Sequence, residues 1–232
     1  MKESPLFWPA EFKDGVLSVL DETKLPGKMH YIRVKTVPEA VAVIRDMKTR
    51  AFGQFLVVLN TFLLVLGQAK GLSSENLLSR LTETADSLNS SRPTFPFSEV
   101  TSIVIGWAGA ALGEKTDMIP FLEKNIRGFL MGIRMKRQQR VRDIAEVIED
   151  GDRILTHCNV SGELAMAAQI CREQGKDIHF FATETRPYFQ GAKLTCWELK
   201  EMGADVTLIA DNAVGSLMMD VLADKVIVGS DR

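Results

Sequence analysis

The chain has 232 residues, 46% apolar and 25% charged, enough for one large or two smaller cored domains. Its 28 Lys and Arg are matched by 30 Asp and Glu, and the net charge of −2 leaves no basic footprint for a nucleic-acid partner. Cys158, Cys171 and Cys196 lack CxxC spacing and His30, His157 and His179 are scattered, so neither a disulfide framework nor a metal site is expected.

In chain order, MKESPLFWPAEF lacks the apolar core of a signal peptide, which fits a reduced cytoplasm. VLSVLDE has strand character and runs into the Leu25-Pro26-Gly27 turn. Val37-Pro38 opens a predicted helix through Thr49, since proline suits a first turn. Gly53 to Gly67 is apolar on all sides but carries Asn60 and Thr61. It falls short of the roughly twenty residues that span a bilayer, so the expectation is a buried helix and no membrane. Ser73 to Leu88 predicts a helix with Leu77, Leu78, Leu81 and Ala85 on one face and Ser73 or Ser74 as cap. After the polar loop Asn89–Pro96, helices are expected over 100–112 and 117–149. The basic run Arg134, Lys136, Arg137, Arg140, Arg142 reads as a solvated face of the second.

From Arg153 the pattern changes. RILTHC, DIHFFA, DVTLIA and KVIVG are short apolar runs separated by helix-length segments, as in a parallel sheet covered on both faces. The fold class is therefore α/β: a mainly helical N-terminal domain (1–150), then a Rossmann-like parallel-sheet domain (151–232). In such sheets ligands bind beyond the carboxyl ends of the strands. Those ends carry Cys158, then Glu184 and Arg186, then Asp211 and Asn212, and finally Asp231.

Each of these residues admits a plain structural reading. Cys158 is a small apolar side chain or, ahead of a predicted helix over 161–174, a thiolate held by helix amides. Asp211 is a helix cap or a buried carboxyl of raised pKa that transfers protons. Arg186 pairs with Glu184 or clamps a phosphate. Cys171 and Cys196 fall inside helical stretches and read as core.

The segments LDETKLPG, SRPT, ILTHCN, ETRPYFQGAKLTCWEL, TLIADNAVGSLM and VIVGSDR resemble those of methylthioribose-1-phosphate isomerases. The wider superfamily of those enzymes includes ribose-1,5-bisphosphate isomerases and regulatory subunits of the nucleotide-exchange factor of eukaryotic translation initiation. The resemblance implies an aldose–ketose isomerase of methionine salvage acting on a small phosphorylated sugar, with no cofactor. It implies Asp211 as proton donor assisted by Cys158, and Arg50, Arg92, Arg186, Gln190 and Asn212 as substrate contacts. A capping role for Gln190 stays open. The chain departs from the family at Arg50-Ala51-Phe52-Gly53-Gln54, where family members carry an Arg-Gly-Ala-Pro-Ala loop, and at Phe95-Pro96-Phe97. Relative to the family pattern the sheet domain is shortened at its C-terminus. These departures keep a second reading open, a non-catalytic ligand-sensing or assembly subunit. The all-round apolar helix and an open edge on the last strand predict a homodimer or higher homo-oligomer.

Overall fold

The computed structural model describes residues 2–220 and 222–229; Asp231 lies outside them. The chain divides into two compact units. One holds the segment up to Trp8, Lys24–Lys28 and the chain from Met135 onward; the other holds Pro9–Thr23 and Met29–Arg134.

The Pro9–Arg134 unit begins with an antiparallel sheet, β1 (Ala10–Lys13), β2 (Val16–Leu20) and β3 (Tyr31–Val34), in that order. Helix α1 (Val37–Arg45) is capped by Thr36, whose hydroxyl accepts the Glu39 amide. It stops short of the expected Thr49 because Met47 turns into the left-handed region at φ 53°. Helix α2 (Ala51–Gly67) is the buried helix of the apolar run and packs against β1, β2, α1, α3 (Ser74–Ser91) and α4 (Phe97–Gly113). The two polar residues in its middle have partners: Asn60 and Thr61 donate to the Leu56 and Val57 carbonyls, and Asn60 accepts the Phe12 amide. Cover from its own unit removes the need for a second subunit that the apolar pattern had suggested. Among the described residues, no helix is long and apolar enough to cross a membrane.

Helix α5 (Met118–Val147) contributes residues to both units. In the unit from Met135 a parallel sheet forms from β4 (Arg153–Thr156), β5 (His179–Thr183), β6 (Asp205–Ile209) and β7 (Lys225–Val226), in the order β6-β5-β4-β7. The fold is thus α/β, as its run of apolar strands predicts. The last strand is shorter than KVIVG suggests, although the Ile227 amide still reaches the Leu155 carbonyl. Winding proceeds outward from β4 to β6 and then returns past β4 to β7. Right-handed crossovers then put α6 (Glu163–Glu173) and α7 (Trp197–Glu201) on one face and α8 (Val214–Met219) on the other. On the α6 face, Ile154 and Phe180 are fully buried with Leu164, Ala168, Cys171, Leu199 and the α5 residues Val141, Ala145 and Ile148. Burying a side chain of Phe180's size stabilises by about 1.5–3 kcal/mol.

Candidate functional site

The winding reverses between β4 and β7, and the loop after β4 opens at that switch point, where open α/β sheets place their ligands. It contains His157, Cys158 and Asn159. Cys158 takes the left-handed conformation (φ 63°) and its peptide is held on both sides. Its amide donates to Thr185 Oγ1 at 3.0 Å, and its carbonyl accepts from Thr195 Oγ1 at 2.5 Å. Asn159 Oδ1 accepts the Ser161 amide at 2.9 Å, tightening the turn.

Helix α6 starts at Glu163, later than the expected Ser161, because Gly162 lies in the left-handed region (φ 86°). A Cβ at Gly162 would sit 2.6 Å from the Phe7 amide nitrogen, so only glycine fits this approach. The Glu163 carboxylate occupies the first turn of α6 and pairs with Arg137 (3.0 Å) and Arg140 (2.9 Å). Arg137 also donates to the Ser161 carbonyl at 2.6 Å and lies over the Phe7 ring. Arg137 is therefore buried against the Cys158 loop instead of facing solvent, while Arg140 reaches Glu163 from a largely exposed position. A carboxylate at the start of α6 also makes that helix end a poor phosphate site.

Asp211 begins the 3-10 turn after β6. Its Oδ1 accepts the Thr185 amide at 2.7 Å and its Oδ2 accepts the Arg186 amide at 2.8 Å. These two amides, with His157 nearby, hold the carboxyl below its usual range. The expected raised pKa is corrected: the residue is only partly buried, and amide donors outweigh desolvation. Asn212 follows it and is exposed.

Arg186 is largely exposed, pairs with Glu184 at 2.9 Å and stacks over the Phe189 ring, so in this conformation the structural alternative holds. Gln190 precedes a π-helical turn (Gly191–Cys196) without capping it, and its Oε1 is buried with no hydrogen-bond partner. Cys171 is core, whereas Cys196 is only partly buried.

Arg50 and Arg92 belong to the Pro9–Arg134 unit. Arg50 is the N-cap position of α2 and Arg92 the C-cap position of α3. Arg92 Nη1 donates at 2.7 Å to Gln54 Oε1, and Gln54 Nε2 donates at 2.9 Å to the Thr49 carbonyl. Gln54 is fully buried and ties Arg92 to the loop that presents Arg50. Glu22 holds the same loop from the other side: its Oε1 accepts the Thr49 hydroxyl (2.5 Å) and the Arg50 amide (3.2 Å). Close approach to this loop occurs at Gly53 in the first turn of α2, where a Cβ would lie 1.8 Å from Thr49 Oγ1. Phe52 stacks on Phe55 in the first turns of α2.

Sequence reasoning missed Thr185, Thr195, Gln54 and Glu22. Buried polar residues beside singled-out ones, as in ETRP and RAFGQ, were the available signal.

Residues 54–232 match the model of the initiation factor 2 subunit family. The chain belongs to that family. It is 37% identical to the methylthioribose-1-phosphate isomerase of Desulforudis audaxviator, over 100% of this chain and 68% of that protein. Among solved structures, 5-methylthioribose 1-phosphate isomerase from Pyrococcus horikoshii OT3 superposes with a TM-score of 0.82 at 25% identity, covering 97% of this chain and 66% of that one. The translation initiation factor eIF-2B subunit delta from A. fulgidus gives a TM-score of 0.78 at 33% identity, covering 97% and 68%.

Proposed function

We propose that this family member is an aldose–ketose isomerase of a 1-phosphorylated pentose, with methylthioribose 1-phosphate to methylthioribulose 1-phosphate as its reaction. The observation that carries the reading is the meeting of the Cys158 and Asp211 loops through Thr185 at the carboxyl ends of the parallel strands. Similarity over the whole of this chain, and 68% of an enzyme named for that reaction, supports it. Action as a homo-oligomer in the cytoplasm belongs to the same reading.

The substrate carries its phosphate on the anomeric oxygen, so the ring does not open as a free sugar does. Conversion to the ketose requires the bond from C1 to the ring oxygen to break with that oxygen gaining a proton, the 2-hydroxyl to lose a proton as C2 becomes a carbonyl, and hydrogen to move with its electron pair from C2 to C1. Hydrogen stays within the substrate, so the net reaction needs no external oxidant. Asp211, held ionised, is suited to take the 2-hydroxyl proton, and the Cys158 thiol to supply the ring oxygen. In the Pro9–Arg134 unit, Arg92 presents a guanidinium already oriented by Gln54, the kind of group that binds a phosphate. In the unit that carries Cys158 and Asp211, Arg186, Gln190 and Asn212 are the substrate contacts, with the unpartnered Gln190 Oε1 accepting from a sugar hydroxyl.

The test is incubation with methylthioribose 1-phosphate and with 5-deoxyribose 1-phosphate, following ketose formation by carbon NMR. Cys158→Ser and Asp211→Asn should each lower kcat roughly 10²-fold or more, with KM changed far less. Wild-type turnover in both variants would remove these residues from the chemistry. An inactive wild-type chain that still binds the sugar phosphate would favour the ligand-sensing reading.

A further inference from the structure

Thr185 occupies an unusual position. It is a β-branched residue in the left-handed region, at φ 61°, where such side chains rarely sit. It is 8% exposed, and Gly191 packs so closely that a Cβ there would lie 2.7 Å from Thr185 Oγ1 and 1.8 Å from the Thr183 carbonyl oxygen. A backbone held against its preference persists only where its surroundings over-determine it.

Those surroundings are the two candidate reacting groups. The Thr185 hydroxyl accepts the Cys158 amide at 3.0 Å and lies within 3.4 Å of the Thr183 carbonyl as donor. Its own amide donates to Asp211 Oδ1 at 2.7 Å. One residue thus touches the peptide that carries the thiol and the carboxylate that follows β6. Thr183, at the end of β5, extends the contact, its hydroxyl 2.5 Å from His157 Nδ1 and 3.5 Å from Thr185 Oγ1.

We propose that Thr185 is a positioning residue that sets the placement of Cys158 relative to Asp211; this rests on the isomerase reading given above. Its hydroxyl fixes the Cys158 peptide, which adopts a conformation its own side chain does not favour. Its amide fixes the carboxylate. A shift in either contact moves acid and base relative to the C1–C2 bond, a kind of misplacement that costs about 10²-fold in rate. Phosphate contacts are untouched, so the loss should fall on kcat.

The test compares Thr185→Val, which keeps the shape and removes the hydroxyl, with Thr185→Ser, which keeps the hydroxyl. Two readouts are taken on the full chain: kcat and KM with methylthioribose 1-phosphate, and the iodoacetamide alkylation rate of Cys158 by peptide mass spectrometry, with Cys196 as internal reference. Thr185→Val should lower kcat roughly 10- to 100-fold with KM within about threefold, and speed Cys158 alkylation at least about threefold. Thr185→Ser should restore both. Asp211→Asn alone should also change Cys158 alkylation, with no further effect when added to Thr185→Val, the signature of a coupled pair. If Thr185→Val does not fold, the Thr185→Ser and Asp211→Asn alkylation rates carry the test. Unchanged alkylation in Thr185→Val, or in Asp211→Asn where Thr185→Val is insoluble, overturns the proposal. So does loss of kcat in Thr185→Ser equal to that in Thr185→Val. An inactive wild type whose Cys158 alkylation still responds to Thr185→Val leaves the positioning role standing and sinks only the isomerase reading.

Discussion

Glu22 is a carboxylate at 5% exposure, a rare placement without full pairing. The Thr49 hydroxyl, the Arg50 amide and the Arg50 guanidinium favour its charge, and Asp21 opposes it. Burial outweighs them all and pushes its pKa up from 4.5. A folded pKa above the unfolded one means that its contribution to stability is fully present below pH 4.5 and is lost as pH rises through the folded value. Glu22→Gln keeps an acceptor for both donors and removes the buried charge. Taking that charge as costing about 1 kcal/mol, the melting temperature at pH 8 should rise by roughly 2–4 °C, and the gain should disappear below pH 4.5. Equal shifts at both pH values, read by differential scanning calorimetry, would show that burial of the charge is not the cause. At the same scale, the types and positions of Cys158 and Asp211 were legible in the chain. The protonation of Asp211 was not, because its amide donors come from 25 and 26 residues away.

At the scale of elements, Gly162 joins the Cys158 loop to α6. Alanine there meets both a left-handed backbone and the main chain of Phe7, which is no flexible side-chain end. Gly162→Ala should cost at least about 2 kcal/mol, a fall of roughly 4–8 °C in melting temperature. A change below about 1 °C would mean that the Phe7 segment yields freely. The strands of the parallel sheet were readable because burial on both faces writes continuous apolar runs. Helix ends were less so: α1 ends at Arg45, where Met47 reverses the backbone, and nothing in RDMKT marks that residue. The β1–β2–β3 sheet was only half visible, as strand character in VLSVLDE, because strands of four and five residues leave little periodicity. Gln54 stood out as a departure at a loop. Its partner Arg92 lies 38 positions on, and only the fold brings the two amide ends and the guanidinium together.

At the scale of the whole molecule, the chain does not build its compact units in sequence order. The segment up to Trp8 belongs with the chain from Met135 onward. Phe7 is fully buried, its ring under Arg137 and its backbone against Gly162, and Ser4 hydrogen-bonds Glu198. Removing residues 2–8 should strip about 3–5 kcal/mol from that unit, the range for losing a buried phenylalanine. Hydrogen exchange should then quicken in peptides from β4 and α6 and stay unchanged in peptides from α2. Uniform loss of protection would mean that the two units unfold as one.

That arrangement has a consequence for biosynthesis. Phe7 leaves the ribosome well ahead of its partners Arg137 and Gly162, which are polymerised roughly 130 and 155 residues later, a wait of roughly 7–30 seconds at ordinary elongation rates. Throughout that interval the apolar segment around Phe7 lacks these partners and must be shielded or left exposed. Substitutions there should show up as poor yield from translation before they show up in the purified protein.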